Sequence, residues 1–223
     1  MNMNEYPDRE MLAINLANVL AGQLTSALMH EDRATLVVPG GTTPSPVFDA
    51  LCDADLEWPR VDVMLSDERW VDEDDPRSNA RLVRKHLLTG RAAAARFLPF
   101  YVAGADPEDV LSDVENRIMP LLPASVALLG MGTDMHIASL FPRGDNLRLA
   151  LDAQAPALVT MRAQDLDCTR VSLSARVLRD ALNLHLVMTG EDKRDALERA
   201  MSLPPEEAPV AAILNEVDVH WAA

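Results

Sequence analysis

An α/β fold, in which a Rossmann-like and mostly parallel sheet carries helices on both faces, is predicted by three features of the sequence. Short apolar runs alternate with amphipathic segments along all 223 residues. Several of those runs stop abruptly at glycine or at a polar cluster, as strands do where an open sheet ends. No linker, repeat or low-complexity segment breaks the rhythm. Residues 1–223 therefore read as a single domain, and with 48% of them hydrophobic they suffice for one sizeable core.

Taken in order, residues 8 to 30 place Leu12, Leu16, Val19, Leu20, Leu24 and Leu28 at helical spacing and predict one amphipathic helix. "ATLVVPGG" reads as a short buried strand entering a glycine turn, and "SPVFDALCDA" as a helix with Pro46 in its first turn, where proline is tolerated. "VDVMLSDERW" reads as a strand with alternating apolar residues. The acidic loop "VDEDDPRSNA" then leads into the helix "ARLVRKHLL", with Ser78 or Asn79 as cap. In the second half, "PEDVLSDVENRIMPLL" is helical and "SVALLGMG" a buried strand. "RVSLS" and "NLHLVMTG" read as strands, "ARVLRDAL" and "EDKRDALERAM" as helices, and "VAAILNEVDVHWA" as an extended closing segment. "SLPPEEAP" is short and proline-rich and reads as a loop.

Composition excludes several classes of function. Twenty Lys and Arg against 35 Asp and Glu give a formal net charge of −15. Such a surface repels phosphate backbones and anionic bilayers, so neither nucleic acid nor membrane is an expected partner. An anionic ligand would need a local cluster of cations. Cys52 and Cys168 are the only cysteines, which speaks against a disulfide framework or a cysteine zinc site. The start, "MNMNEYPDREML", lacks the basic and apolar regions of a signal peptide, and no apolar run is expected to span a bilayer. A reducing cytoplasm is the expected location.

In open α/β sheets ligands bind beyond the carboxyl ends of the strands, and three polar clusters lie there. In "PGGTTPSP", Gly40 and Gly41 permit close backbone approach, Thr42 and Thr43 add hydroxyls, and the following helix aims free N–H groups at the turn, which suits a phosphate. The GK[ST] ending of a P-loop is absent. In "SDERW", Arg69 either pairs with Asp67 or Glu68 as a plain ion pair or is held by them as a cation near a reacting oxygen. In "LLGMGTDMHIASLFP", Asp134 stands two residues before His136 just past a glycine-flanked strand end. A carboxylate there can fix the imidazole tautomer and raise its basicity, the requirement for a general base. His30, His86, His185 and His220 fall in helix or strand patterns and read as surface or packing residues.

Other chemistries fit that stretch less well. Met135 occupies the third glycine position of a dinucleotide fingerprint. Asp134 and His136 lack an evident third zinc ligand, and Ser139 is not in a G-x-S-x-G elbow. Two later cations complete the set. Arg170 opens "RVSLS", and Lys193 lies in the first turn of a helix, against the dipole, a small cost that a bound anion would offset.

The blocks "VVPGGTTPSPVFDAL", "DERWVDEDDPRSNARLVRKHLL", "LLGMGTDMHIASLFP", "RVSLS" and "VMTGEDKRDAL", in this order and spacing, resemble the 6-phosphogluconolactonase family, which is related to the glucosamine-6-phosphate deaminases and ribose-5-phosphate isomerases. The likeness runs over nearly the full length. It implies that sugar-phosphate isomerase-like fold and hydrolysis of 6-phospho-D-glucono-1,5-lactone to 6-phospho-D-gluconate, a step of the oxidative pentose phosphate pathway. It also implies a small sugar-phosphate lactone as partner, no cofactor or metal, and a monomer or weak homo-oligomer. By resemblance His136 is the general base, Asp134 orients it and Arg69 lies near the lactone carbonyl. Asp67 belongs with the substrate-binding residues, and Gly40, Gly41, Thr42, Thr43, Arg170 and Lys193 hold the phosphate.

Departures bear on this: Pro39 and Thr42 stand where the family's first loop usually has serines, and "RAQDLDCT" replaces a Pro-Lys-Pro-type stretch before the Arg170 block. The family usually has glycine where Met135 stands, so a positive φ there would strain the methionine. The deaminases continue from the histidine to a Phe-Asn-Glu. Here the three positions are Ser139, Leu140 and Phe141, and an apolar Phe141 cannot relay a proton. A deaminase or isomerase is thereby disfavoured. A non-catalytic sugar-phosphate sensor would call for a further partner module that the sequence does not display.

Overall fold

The computed structural model describes residues 1–164 and 166–223. Seven strands form one sheet in the order β1 (Asn2–Glu5), β10 (Val217–Ala222), β9 (Leu184–Thr189), β6 (Val126–Gly130), β2 (Ala34–Val38), β3 (Val61–Leu65) and β5 (Arg96–Leu98). Every pairing in it is parallel. β2 and β3 are buried along their whole length; β2 reads accordingly as an apolar run, whereas β3, read as alternating, is buried on both faces as well. Asp62 sits fully buried in β3 without breaking the strand, because Arg33 and Arg96 both donate to its carboxylate.

α1 (Arg9–Leu28) begins at Asp8, whose carboxylate accepts from the Met11 N–H at 2.8 Å. The helix packs on α2 (Ser45–Leu51), β10 and β2. Leu12, Leu16, Leu20, Leu24 and Leu28 are buried, each worth roughly 1.5–3 kcal/mol of transfer free energy. Val19, expected on this face, is 38% exposed, and Ala13 and Ala17 take its place in the core. By length and composition this helix could cross a membrane, contrary to the sequence expectation. Its apolar face is occupied within the fold.

A second sheet of three antiparallel strands was not anticipated: β4 (Asp67–Arg69), β8 (Arg170–Leu173) and β7 (Leu158–Met161). Residues 61–70, read as one strand, are therefore two. The chain changes sheets at Ser66, whose N–H donates to Val38 O at 2.8 Å while its own carbonyl accepts from Leu173 N at 2.9 Å. Three consecutive charged residues cannot extend a strand buried on both faces, so the chain leaves the parallel sheet there. The closing segment is also shorter than expected. Residues 209–212 form a 3-10 turn begun by Pro209, and the strand starts only at Val217.

The remaining helices are α3 (Asn79–His86), α4 (Pro107–Ile118), α5 (Leu147–Leu151), α6 (Ala175–Arg179) and α7 (Glu191–Ala200). The short α5 and the strands β1, β5 and β7 carried no periodic signal. β2 has β3 on one side and β6 on the other, so the strand order reverses between β2 and β6. The loops leaving the carboxyl ends of those two strands diverge and open a crevice.

Candidate active site

One wall of the crevice is the loop after β6. Gly132 N–H donates to His136 O at 2.9 Å and Met135 N–H to Gly132 O at 3.0 Å, so residues 132–136 form one tight loop. Within it His136 Nδ1 lies 2.5 Å from Asp134 Oδ1. The pair folds back over Gly132, where a Cβ would come within 2.2 Å of both atoms, so a side chain there would displace the pair. Burial pushes the Asp134 carboxyl up, but its hydrogen bond with His136 outweighs that and holds the group below its ordinary range. An ionised Asp134 favours the imidazole tautomer with the proton on Nδ1. Phe141 packs on the imidazole with ring centroids 4.4 Å apart.

Met135 adopts φ 68°, the left-handed conformation that costs a side-chain-bearing residue roughly 1–2 kcal/mol. The strain expected at this departure from the family pattern is therefore present. Val210 N–H pins the Met135 carbonyl at 3.0 Å.

The small sheet forms a second wall. In the β4–β8 register Asp67 stands opposite Ser172 and Arg69 opposite Arg170, so these four residues share one face. Asp67 is buried and accepts from Ser66 Oγ at 2.8 Å and from Ser139 Oγ at 2.6 Å. Arg69 pairs with neither Asp67 nor Glu68. Its Nη1 donates to Arg77 O at 2.7 Å and to Asn79 Oδ1 at 2.9 Å. Glu68 points to the opposite face and caps α3, accepting from the N–H groups of Asn79 and Ala80 at 2.7 and 2.8 Å and from Arg69 N–H at 2.8 Å. Burial pushes its carboxyl up to about 7 against those backbone donors. Ser78, one of the two residues proposed as cap, accepts from Arg81 N–H at 3.2 Å.

The third wall comprises residues 39–44 and Lys193. Together the walls enclose a cleft of about 270 Å³ lined by Gly40, Gly41, Thr42, Thr43, Asp67, Arg69, His136 and Lys193. Lys193 Nζ donates to Met131 O at 2.6 Å across it. Asp134 is in contact with His136 behind the lining. Arg170 does not line the cleft. It is buried beside Arg69, bonded to Asp167 at 3.1 Å, and its Nε and Nη1 have no hydrogen-bond partner among the described residues. Burial and the neighbouring Arg69 charge lower its pKa. Asn79, Met131 and Ala138 also line the cleft and were not singled out. For Asn79 the signal was visible, but it reads equally as a helix cap. Among the described residues no cluster of three or more His, Cys, Asp or Glu is placed to hold a metal.

A model of the family described as glucosamine-6-phosphate isomerases/6-phosphogluconolactonase matches residues 7–221. The chain belongs to this family. Among its members, a 6-phosphogluconolactonase of Mesorhizobium japonicum is 40% identical over 99% of this chain and 95% of its own. One of Pseudomonas aeruginosa is 40% identical over 94% and 90%. The crystal structure of a 6-phosphogluconolactonase from Shewanella baltica superposes with a TM-score of 0.96 at 32% identity, covering 100% of this chain and 98% of that one. A monomeric glucosamine-6-phosphate deaminase, 17% identical with a TM-score of 0.83, shares the fold.

Proposed function

We propose that this member of the family hydrolyses 6-phospho-D-glucono-1,5-lactone to 6-phospho-D-gluconate, a reaction of the oxidative pentose phosphate pathway. The observation that carries the reading is the His136–Asp134 pair, with one ring nitrogen engaged and the ring facing a cleft that also holds Arg69 and Lys193. His136 Nε2 takes a proton from water as the oxygen attacks the lactone carbonyl carbon. The charge that develops on the carbonyl oxygen is met by the Arg69 guanidinium. Collapse breaks the bond from that carbon to the ring oxygen, which takes the proton back from Nε2 and becomes a hydroxyl. The chemistry calls for no cofactor, metal or covalent intermediate.

The phosphate is held by Lys193 and by Gly40, Gly41, Thr42 and Thr43, with Asp67 shaping the floor. Arg170 contributes its positive charge from beside Arg69. These cations answer the problem of an anionic ligand on a chain of net charge −15. That same charge opposes nucleic acid and anionic membranes as partners. Two free cysteines fit a reducing cytoplasm. Phe141, packed on His136 where the deaminases carry a glutamate, supports hydrolysis over deamination.

The test generates the lactone in situ with glucose-6-phosphate dehydrogenase and follows its decay. The protein accelerates decay and His136→Asn does not. Equal decay with and without the wild-type protein, or activity appearing only after Phe141→Glu, overturns the assignment.

A further inference from the structure

We infer that Asn79 is a positioning residue that aims the Arg69 guanidinium into the cleft while leaving its charge uncompensated, an inference that rests on the lactonase reading of Arg69. Asn79 is 2% exposed yet belongs to the cleft wall. Its Nδ2 donates to Asp67 O at 2.8 Å and its Oδ1 accepts from Arg69 Nη1 at 2.9 Å. Reversing the amide would set oxygen against the Asp67 carbonyl and nitrogen against the guanidinium, so its orientation is determined. The backbone of Asn79 is tied in turn to the buried Glu68 carboxylate.

Two further features show that the side chain is fitted to this place. A Cβ on Gly40 would lie 1.8 Å from Asn79 Oδ1, so the loop after β2 closes on the amide with no room for a larger residue. The other acceptor of Arg69 Nη1, the Arg77 carbonyl, is fixed because the Arg77 guanidinium is held by Asp75 at 2.7 Å and by Asp167 at 2.9 Å. Both acceptors of Arg69 are neutral, and among the described residues no carboxylate pairs with it. A buried or half-buried arginine is ordinarily matched by a carboxylate. Here the full charge is kept for an oxyanion, and a neutral amide gives direction without neutralising it.

The experiment is a double-mutant cycle on kcat and KM with the in situ lactone. Arg69→Ala lowers kcat; if it does not, the reading of Arg69 fails and this inference with it. Asn79→Ala lowers kcat about tenfold to a hundredfold, since a displacement of about 1 Å suffices for that, with little change in KM. In the Arg69→Ala background the same change has no further effect, within about twofold. A wild-type kcat in Asn79→Ala, or an equal loss whether or not Arg69 is present, overturns the proposal. Asn79→Asp keeps the shape and the acceptor toward Arg69, but it loses the donor to the Asp67 carbonyl and adds a charge. It serves if the alanine variant does not fold, and a kcat equal to wild type in this variant also overturns the proposal.

Discussion

Two histidine-centred groups in this molecule are built from similar parts and do opposite things. His136 has one nitrogen on Asp134 and the other open to a cleft. His185 and His220 are 1% and 2% exposed and belong to a closed chain. Tyr6 Oη lies 2.8 Å from His220 Nδ1, His220 Nε2 lies 3.1 Å from His185 Nδ1, and His185 Nε2 lies 2.8 Å from Gln23 Oε1. The Gln23 oxygen can only accept, so His185 donates to it, His220 donates to His185, and Tyr6 donates to His220. Every ring nitrogen is engaged and both rings are neutral. Burial pushes His220 down to about 4, and it lowers His185 as well. An open nitrogen alone does not mark the candidate base, since His86 also has only Nδ1 engaged, on Asp49 at 2.8 Å; what sets His136 apart is its place in the cleft.

Several substitutions sharpen or break that contrast. The largest effect is expected for His136→Asn: a loss of kcat of about 10²–10⁴-fold with the melting temperature nearly unchanged, read by lactone decay and thermal unfolding. Asp134→Asn releases the ring tautomer and lowers kcat by about 10²-fold, near the lower end of what general-base catalysis supplies. Lys193→Ala removes a charge from the open group. We expect KM to rise by roughly 10–100-fold, the equivalent of about 1.5–3 kcal/mol for a charged hydrogen bond, with kcat less affected. A loss in kcat alone would place Lys193 in the chemistry.

The closed group is expected to respond in stability. His220→Ala leaves His185 Nδ1 without a donor and opens a cavity, costing about 2–4 kcal/mol in denaturant unfolding while kcat is retained. If kcat fell instead, the two groups would be coupled and the contrast lost. A smaller effect is expected with pH. The folded-state pKa of His220 lies below the ordinary value of 6.5, so between about 6.5 and 4 the unfolded chain binds more protons than the folded one. Stability from this group is thus full above 6.5 and is lost as pH falls toward 4, by on the order of 3 kcal/mol. In His220→Phe that part of the acid slope should disappear.

Much of this was legible in residues. The buried strands β2, β3, β6 and β9 announce themselves by mostly apolar sequences with glycine or polar residues at their ends. The Asp134–His136 spacing was legible too, because a two-residue separation across a tight loop brings the side chains together locally. Strand β1, with sequence NMNE at the sheet edge, and the three-residue β5 were not, since edge strands need no apolar pattern. The partners of Arg69 were misjudged. Sequence proximity favoured Asp67 and Glu68, but alternation along β4 turns Glu68 to the other face, and the acceptors come from residues 77 and 79.

By itself, then, the sequence determined what depends on local spacing and on summed composition: the alternation of strand and helix, the glycine-edged loops, the imidazole with its carboxylate and the acidic surface. Only the tertiary structure decided that His185 and His220 close on each other, that residues 67–69 leave the main sheet, and that Arg69 meets an amide instead of a carboxylate. Those outcomes depend on contacts between separate segments, on strand order and on which face of β4 turns inward, and no periodicity within one segment encodes them.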